Sequence, residues 1–449
     1  MFNIKKAALL LLLLAGLLPH LAHSQDQLTL DEAVRIGLQQ NYDIRIADTE
    51  DEIGSNNATL GNAGFFPTVT GRATRDFSRN NTRNQFESEP AREISNLRNN
   101  SSNASVQLAW TLFDGGRMFI AYNRLQALEK SGQLVTKATI ENTIADISDA
   151  YYEVVRQAHK INALEDAIEI SAQRVAITQE QYNVGVSAKV EILRAQVDYN
   201  ADQSELLRQQ EALQNAKIDL NQLLGRDPDI SFVATDTIVV DRQLEYQGAD
   251  ANLLAANPAL QRLQLEREIA QYDLRSARAL RLPTLGVSGS YGYNKSLQDP
   301  VIYGNIFGTN ESQRQGFNYG LTLSLPIFNG FNINRQVQNS RINIESAKLQ
   351  YAQVQNTLES ELARAYSRYA NRMKLLDLEE ANLKLADQNA EIAVERYRLG
   401  LLTAIELREA QRNQLIASNR LIDIRYEAKA AEVEIKRLTS SLLQEAEVN

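Results

Sequence analysis

Residues 325–330 read Leu-Pro-Ile-Phe-Asn-Gly, and no further glycine or proline follows until Gly400, a run of 69 residues from Phe331 to Leu399. At ~1.5 Å per residue, such a run makes a helix of about 104 Å. The same hinge stands earlier in the chain. Phe113-Asp114-Gly115 matches Phe328-Asn329-Gly330, and the stretch from Arg117 to Val184 is interrupted only by Gly132. The match continues outward at a constant offset. Ala150-Tyr151 returns as Ala365-Tyr366, Tyr182-x-x-Gly185 as Tyr397-x-x-Gly400, and Glu191-x-x-x-Ala195-Gln196 as Glu406-x-x-x-Ala410-Gln411, all 215 residues apart. Asn41 with Asn257, and Pro67 with Pro283, are 216 apart, so one single-residue insertion or deletion separates two copies of one unit. Self-similarity at a fixed period sets the architecture before any local pattern is considered.

Each copy reads helix, strand, loop, strand, very long helix, turn, helix. The strands alternate with period two. Val106, Leu108, Trp110 and Leu112 share one face, with Ser105, Gln107 and Thr111 on the other. Phe317, Tyr319, Leu321, Leu323 and Leu325 alternate with Asn318, Gly320, Thr322 and Ser324, and Leu285, Val287, Tyr291 and Tyr293 with Thr284, Ser288, Ser290 and Asn294. Val69, Ala73 and Phe77 against Thr68, Thr70, Arg72 and Asp76 make the weakest of the four patterns. Each alternating run is about ten residues, the length of a tilted membrane strand. A half-buried soluble sheet has the same pattern. The connections favour the membrane: residues 80–103 and 295–315 read as long Asn- and Ser-rich loops on one side of the strands only.

The helices carry a near-heptad of Leu358, Leu362, Ala365, Tyr369, Met373, Leu376 and Leu383, continued by Ala386, Ala390 and Ala393. That spacing suits lengthwise packing of nearly parallel helices. Gly185 and Gly400 sit where a C-cap glycine reverses the chain, so each copy ends in a long antiparallel helical hairpin. Two β-hairpins give four strands, too few to close a barrel, and open edges are forbidden in lipid. Closure therefore requires two, three or four chains, giving 8, 12 or 16 strands, and the helices continue the barrel as a helical tube.

Composition agrees. Only 8 prolines and 21 glycines occur in 449 residues, below average usage. With 43% apolar and 23% charged residues the chain is not disordered. Without cysteine, disulfides, thiolate metal sites, cysteine nucleophiles and a lipoprotein anchor are excluded. Lys5 and Lys6, the short apolar run from Ala7 to Leu18, and Ala22-His23-Ser24 read as a cleaved signal peptide. Its loss takes the formal charge from −9 to −11, which disfavours nucleic acid as a partner.

The residues resemble the TolC-like outer-membrane efflux proteins. The resemblance rests on Leu28-Thr29-Leu30-Asp31-Glu32-Ala33 with Asn41, on Asn257-Pro258-Ala259-Leu260, on the strand-to-helix signature of residues 325–330, and on the two Tyr-x-x-Gly turns. It covers nearly the whole mature chain. It implies a homotrimer in the outer membrane of a Gram-negative cell, with a 12-stranded β-barrel continued by a 12-helix α-barrel in the periplasm. It also implies docking to a periplasmic adaptor (membrane fusion) protein and to an inner-membrane efflux pump or ABC transporter. The expected fold is mainly α with a membrane β-barrel portion, in two tandem repeats. The expected boundaries are a signal peptide over 1–24 and a first repeat over 25–225, with strands about 66–79 and 104–113 and a helical hairpin about 114–224. A linker follows over 226–250, then a second repeat over 251–440, with strands about 283–294 and 317–328 and a hairpin about 329–440, and a tail over 441–449.

No catalytic constellation, phosphate-binding loop or metal motif is legible, no cofactor is expected, and His159 reads as a helix-surface residue. The hairpin tips carry the functional candidates. Thr403-x-x-Glu406 is a capping box, which by itself accounts for Glu406. Glu409 follows one turn later on the same face. The resemblance places Glu406 and Glu409 around the narrow periplasmic end of the tunnel, with Glu191 at the matching position of the first copy. Rings of acids favour cations. The best-known relatives latch the closed state with an arginine two residues beyond the turn glycine together with the tyrosine. Tyr397 and Tyr182 are present here, but the arginine position is Leu402, and Arg408 stands between the two acids where relatives have an apolar residue. A guanidinium there is expected beside Glu406 or Glu409, neutralising part of the ring. Gly115 and Gly330 mark the strand-to-helix junctions. Rival readings are a non-conducting outer-membrane scaffold or adhesin with a helical stalk, a soluble secreted helical protein, and a carboxylate-dependent hydrolase. Drug, metal-ion and protein export are not separated by the sequence.

Overall fold

The structure, a computed structural model, describes residues 26–85, 87, 90–244, 249–303 and 306–443. The expected signal peptide and most of the 441–449 tail lie outside the described residues. The described residues form two compact units, each holding pieces of both sequence copies: those within 26–47, 137–257 and 357–443 make one, and those within 48–136 and 258–356 make the other.

The first unit is organised around a parallel pair, β1 (Asp26–Leu28) on β4 (Phe232–Ala234). Helix α1 (Leu30–Gln40) begins at Thr29, whose hydroxyl accepts from the Glu32 amide at 3.3 Å. Asn41 separates it from α2 (Tyr42–Asn57). The Asn41 side-chain oxygen Oδ1 accepts from the Asp43 and Ile44 amides, while its side-chain amide Nδ2 donates to the Leu223 carbonyl at 2.7 Å, at the end of α4 (Lys189–Leu223). Asn257, between α5 (Ala249–Ala256) and α6 (Pro258–Ala279), donates in the same way to the Leu438 carbonyl at 3.1 Å, at the end of α8 (Ala404–Leu438). Each asparagine thus satisfies a carbonyl that a helix terminus leaves open. Tyr151, fully buried, sits in a core with Ile147, Leu220, Leu224 and Phe232, and its hydroxyl lies 2.9 Å from both the Leu28 carbonyl and the Asp236 carboxylate.

In the second unit, β2 (Thr68–Asn84), β3 (Arg92–Phe113), β5 (Thr284–Tyr303) and β6 (Ile306–Ser324) form one antiparallel sheet in the order β2-β3-β5-β6. The strands are longer than the alternating runs predict: 17, 22, 20 and 19 residues. Most of residues 80–103 and 295–315, expected as loops, is paired strand. The ladder runs on because backbone pairing does not require apolar side chains, and Asn and Ser rows such as Asn99 opposite Ser78 and Ser101 opposite Asp76 keep the register. The strands pass into α3 (Arg117–Asn183) and α7 (Asn332–Arg398), each of 67 residues. Gly115 and Gly330 make these junctions at φ +77° and +64°. At Gly115 a Cβ would lie 2.7 Å from the Ala279 carbonyl, so both conformation and space demand glycine. Among the described residues no helix is long and apolar enough to cross a membrane.

Candidate functional site at the hairpin tips

The tips lie within the first unit, where α3 turns into α4 and α7 into α8. Gly185 (φ +80°) and Gly400 (φ +75°) take the left-handed conformation that L side chains rarely adopt. The amides just beyond them reach back five residues, Val186 to the Gln181 carbonyl at 2.9 Å and Leu401 to the Arg396 carbonyl at 2.8 Å. This is the hydrogen-bond pattern of a glycine-terminated helix.

Beyond Gly400, Thr403 and Glu406 close a reciprocal cap. The Thr403 hydroxyl accepts from the Glu406 amide at 3.3 Å, and the Glu406 carboxylate accepts from the Thr403 amide at 2.9 Å and its hydroxyl at 2.7 Å. These two donors hold the Glu406 carboxyl below the usual carboxylate range, so it stays ionised. Glu409 is exposed and lines a cleft of about 360 Å3 with Glu191, Arg174, Arg194, Arg408 and Arg412. Glu191 carries an ion pair with Arg194 at 2.8 Å.

Arg408 turns away from the position expected for it. Its guanidinium forks onto Asp202, Nη2 to Oδ1 at 2.7 Å and Nη1 to Oδ2 at 2.8 Å, with Asp198 at 3.8 Å from Nε. Its charge is therefore taken up by the first hairpin rather than by Glu406 or Glu409. Asp202 is 7% exposed and also accepts from the Ser171 hydroxyl at 2.5 Å. Asp198 is held by Arg174, itself 2% exposed, at 2.6 Å. The two carboxylates facing Arg408 push its guanidinium further toward the charged form. A planar fork meeting a carboxylate edge-on is the geometry that distinguishes arginine from lysine.

Tyr397 makes the second tie between the hairpins. It is 4% exposed, packs with Ala393, Leu407 and Ala410, and its hydroxyl lies 2.7 Å from Thr178 Oγ1. Thr178 spends its own proton on the Arg174 carbonyl at 2.8 Å, so Tyr397 is the donor in this pair. Tyr182, its partner in the repeat, is 41% exposed. The structure thus joins Tyr397 and Arg408 to the first hairpin and leaves Tyr182 outside that network. The acceptors Ser171, Thr178, Asp198 and Asp202 escaped the sequence reading. Their signal was a run of polar residues on faces where the second copy has Ala386, Ala393 and Ala417. Among the described residues no group of three or more His, Cys, Asp or Glu is placed to hold a metal ion.

Comparison with known proteins follows the same lines. The family model described as outer membrane efflux protein matches residues 34–226 and 251–441. Protein CyaE of Bordetella pertussis is 25% identical over 354 residues, 78% of this chain and 70% of that one. Outer membrane protein TolC of Escherichia coli is 23% identical over 363 residues, 78% of this chain and 72% of its own. The crystal structure of the Campylobacter jejuni CmeC outer membrane channel superposes with a TM-score of 0.72 at 19% identity, covering 93% of this chain and 89% of that one. The two matched segments together exceed half of the sequence, and the chain belongs to the outer membrane efflux protein family.

Proposed function

We propose that the protein is the passive exit duct of a tripartite efflux or type I secretion machine, a homotrimer whose 12-stranded β-barrel lies in the outer membrane and whose 12 helices form a periplasmic tunnel. One observation carries this reading. The four-stranded sheet ends in β2 and β6, which pair with no further strand among the described residues, and its exposed face carries Val69, Val106, Tyr291, Phe317 and Tyr319. Unpaired strand edges cost several kcal/mol per group in lipid, so a membrane sheet of this kind closes by association. Three chains is the number that the family resemblance supplies.

No phosphate-binding motif is legible in the sequence, and in this reading transport is driven by an inner-membrane pump or ABC transporter coupled through a periplasmic adaptor. In the resting state each protomer's two hairpins are held together by Arg408–Asp202 and Tyr397–Thr178. An adaptor engaging the tips opens the tunnel by parting these ties. Glu406 and Glu409 of three protomers, with Glu191 partly offset by Arg194, set a preference for cations at the narrow end.

Single-channel conductance of the mature protein in planar bilayers tests the proposal. Discrete cation-selective openings, reduced by millimolar divalent cations and changed by joint Glu406→Gln and Glu409→Gln, are expected. Inserted protein that never conducts, even with the ties removed, would overturn the duct in favour of a scaffold.

A further inference from the structure

Directly paired residues of an antiparallel sheet share a face, and the register assigns every side chain on the lipid-facing side. Val69, Leu108, Gly289 and Tyr319 form one row, Gly71, Val106, Tyr291 and Phe317 the next, and Ala73, Ala104, Tyr293 and Gln315 the third. Further from the helices the character of this face changes. Arg75, Ser102, Lys295 and Gln313 make the fourth row, Phe77, Asn100, Leu297 and Glu311 the fifth, and Arg79, Arg98 and Asp299 the sixth. A cationic zone with two apolar side chains, Phe77 and Leu297, therefore follows the apolar band on the same face.

The charges in this zone are unequally served. Lys295 is paired with Glu311 at 2.6 Å. Asp299, in register with Arg98, accepts from the Thr309 hydroxyl at 3.3 Å. The Arg75 guanidinium lies over the Phe77 ring, 5.1 Å from its centre. Arg79 and Arg98, both exposed, stand directly opposite each other on neighbouring strands. Like charges directly opposite are unfavourable in a sheet, and a shared anion relieves them. Guanidinium forks match phosphate oxygens in particular.

The helices leave the sheet at its other end, at Thr68, Phe113, Thr284 and Ser324. With those helices in the periplasm, the cationic rows lie at the headgroup level of the outer leaflet. We propose that Arg79 and Arg98, with Arg75 beside them, bind the phosphate groups of an anionic outer-leaflet glycolipid, while Phe77 and Leu297 rest against its acyl chains. The inference rests on the membrane reading given above.

The test titrates purified full-length protein in detergent with a bis-phosphorylated glucosamine glycolipid and with the same lipid stripped of phosphate, counting bound lipid by native mass spectrometry. The double variant Arg79→Gln/Arg98→Gln is expected to bind the phosphorylated lipid about tenfold more weakly, the loss of two charge-assisted forks. Arg79→Lys/Arg98→Lys keeps the charge and is expected to retain part of the binding. The control removes two charges from the opposite face of the same sheet, Arg72→Gln/Arg314→Gln, and is expected to bind like the parent. Equal losses in the two glutamine doubles, or no preference for the phosphorylated lipid, would overturn the site. Complete displacement by millimolar inorganic phosphate would make it a free-phosphate site and overturn the lipid assignment. Conductance of the same preparations in neutral bilayers reports on the duct separately, so failure of the lipid site and failure of the channel reading are distinguishable.

Discussion

At the first hairpin tip Ala188 gives α4 no side-chain cap and Glu191 pairs with Arg194, whereas at the second Thr403 and Glu406 close a capping box and Arg408 reaches out of its own hairpin. The turns themselves are alike, each set by a glycine at positive φ. The copies part company in what they bury. The first buries Ser171, Arg174, Thr178 and Asp202, with Asp198 half-buried beside them, where the offset of 215 places Ala386, Asn389, Ala393, Ala417 and, for Asp198, Asn413 in the second. One copy has become the receptor and the other the donor, since Arg408 and Tyr397 both stand opposite those polar groups. Duplication alone would give two equal hairpins; the buried polar pairs make the fit between them directional.

The sharpest way to break this asymmetry is at Arg408. Leucine there copies Leu193 of the first tip but leaves Asp202 buried without its counter-ion. Stranding one member of such a pair costs about 3 kcal/mol, and the hairpins are expected to part more readily, seen as a lower unfolding midpoint and longer channel openings. Asp202→Ala copies Ala417 and removes the stranded charge, so the double Arg408→Leu/Asp202→Ala is expected to recover most of the loss. If the two single changes simply add in a double-mutant cycle, the pair contributes no coupling and the directional fit has another origin.

A second contrast lies further up the same helices. Glu141 is 3% exposed with both carboxylate oxygens buried and lacking a hydrogen-bond partner among the described groups, while its repeat partner Asn356 is exposed. Burial pushes the Glu141 carboxyl up to about 7, against the opposing pull of Lys137 and Arg437, and Asp149 nearby is pushed up to about 6 by burial and by Asp146 and Glu434. The folded chain therefore holds protons that the unfolded chain releases. The contribution of these two groups to stability is full below the ordinary carboxylate range and slopes downward as pH rises through about 6 to about 7. Glu141→Gln should flatten much of that slope, a change on the order of 2 kcal/mol at pH 8, read from unfolding midpoints between pH 4.5 and 8. An unchanged slope would mean that Glu141 stays ionised in the fold.

Much of this molecule is written in local pattern. The absence of glycine and proline from Phe331 to Leu399 leaves little but helix, Gly185 and Gly400 admit the reversal, and alternating runs such as Val106 to Leu112 mark the strands. The ends of the strands were illegible because their Asn and Ser rows, among them Asn99 to Asn103, carry no alternation although their backbones still pair. Arg408 was misplaced for a different reason. Its sequence neighbours are acids, but its partner Asp202 lies 206 residues away, and only the packing of two hairpins brings them together. Local charge pattern informs about exposed faces of one helix; it says little about a side chain that crosses to another.

The smallest expected effect separates the two turn tyrosines. Tyr397 donates its hydroxyl proton to Thr178 inside the packed tip, and Thr178 has no second proton to return. Tyr397→Phe keeps the ring among Ala393, Leu407 and Ala410 but leaves the Thr178 oxygen short of one donor. A buried hydrogen bond of this kind contributes about 1 kcal/mol. Tyr182, exposed at the equivalent turn, has no such role, and Tyr182→Phe should leave both the unfolding midpoint and the open probability where they were. Thr178→Ala gives the site the residue that Ala393 supplies in the second copy. If Tyr397 acts through this bond, Thr178→Ala and Tyr397→Phe combined should cost less than their sum, because each removes what the other needs. Equal sensitivity at Tyr182 and Tyr397 would instead make both tyrosines simple packing residues of a symmetric pair of turns.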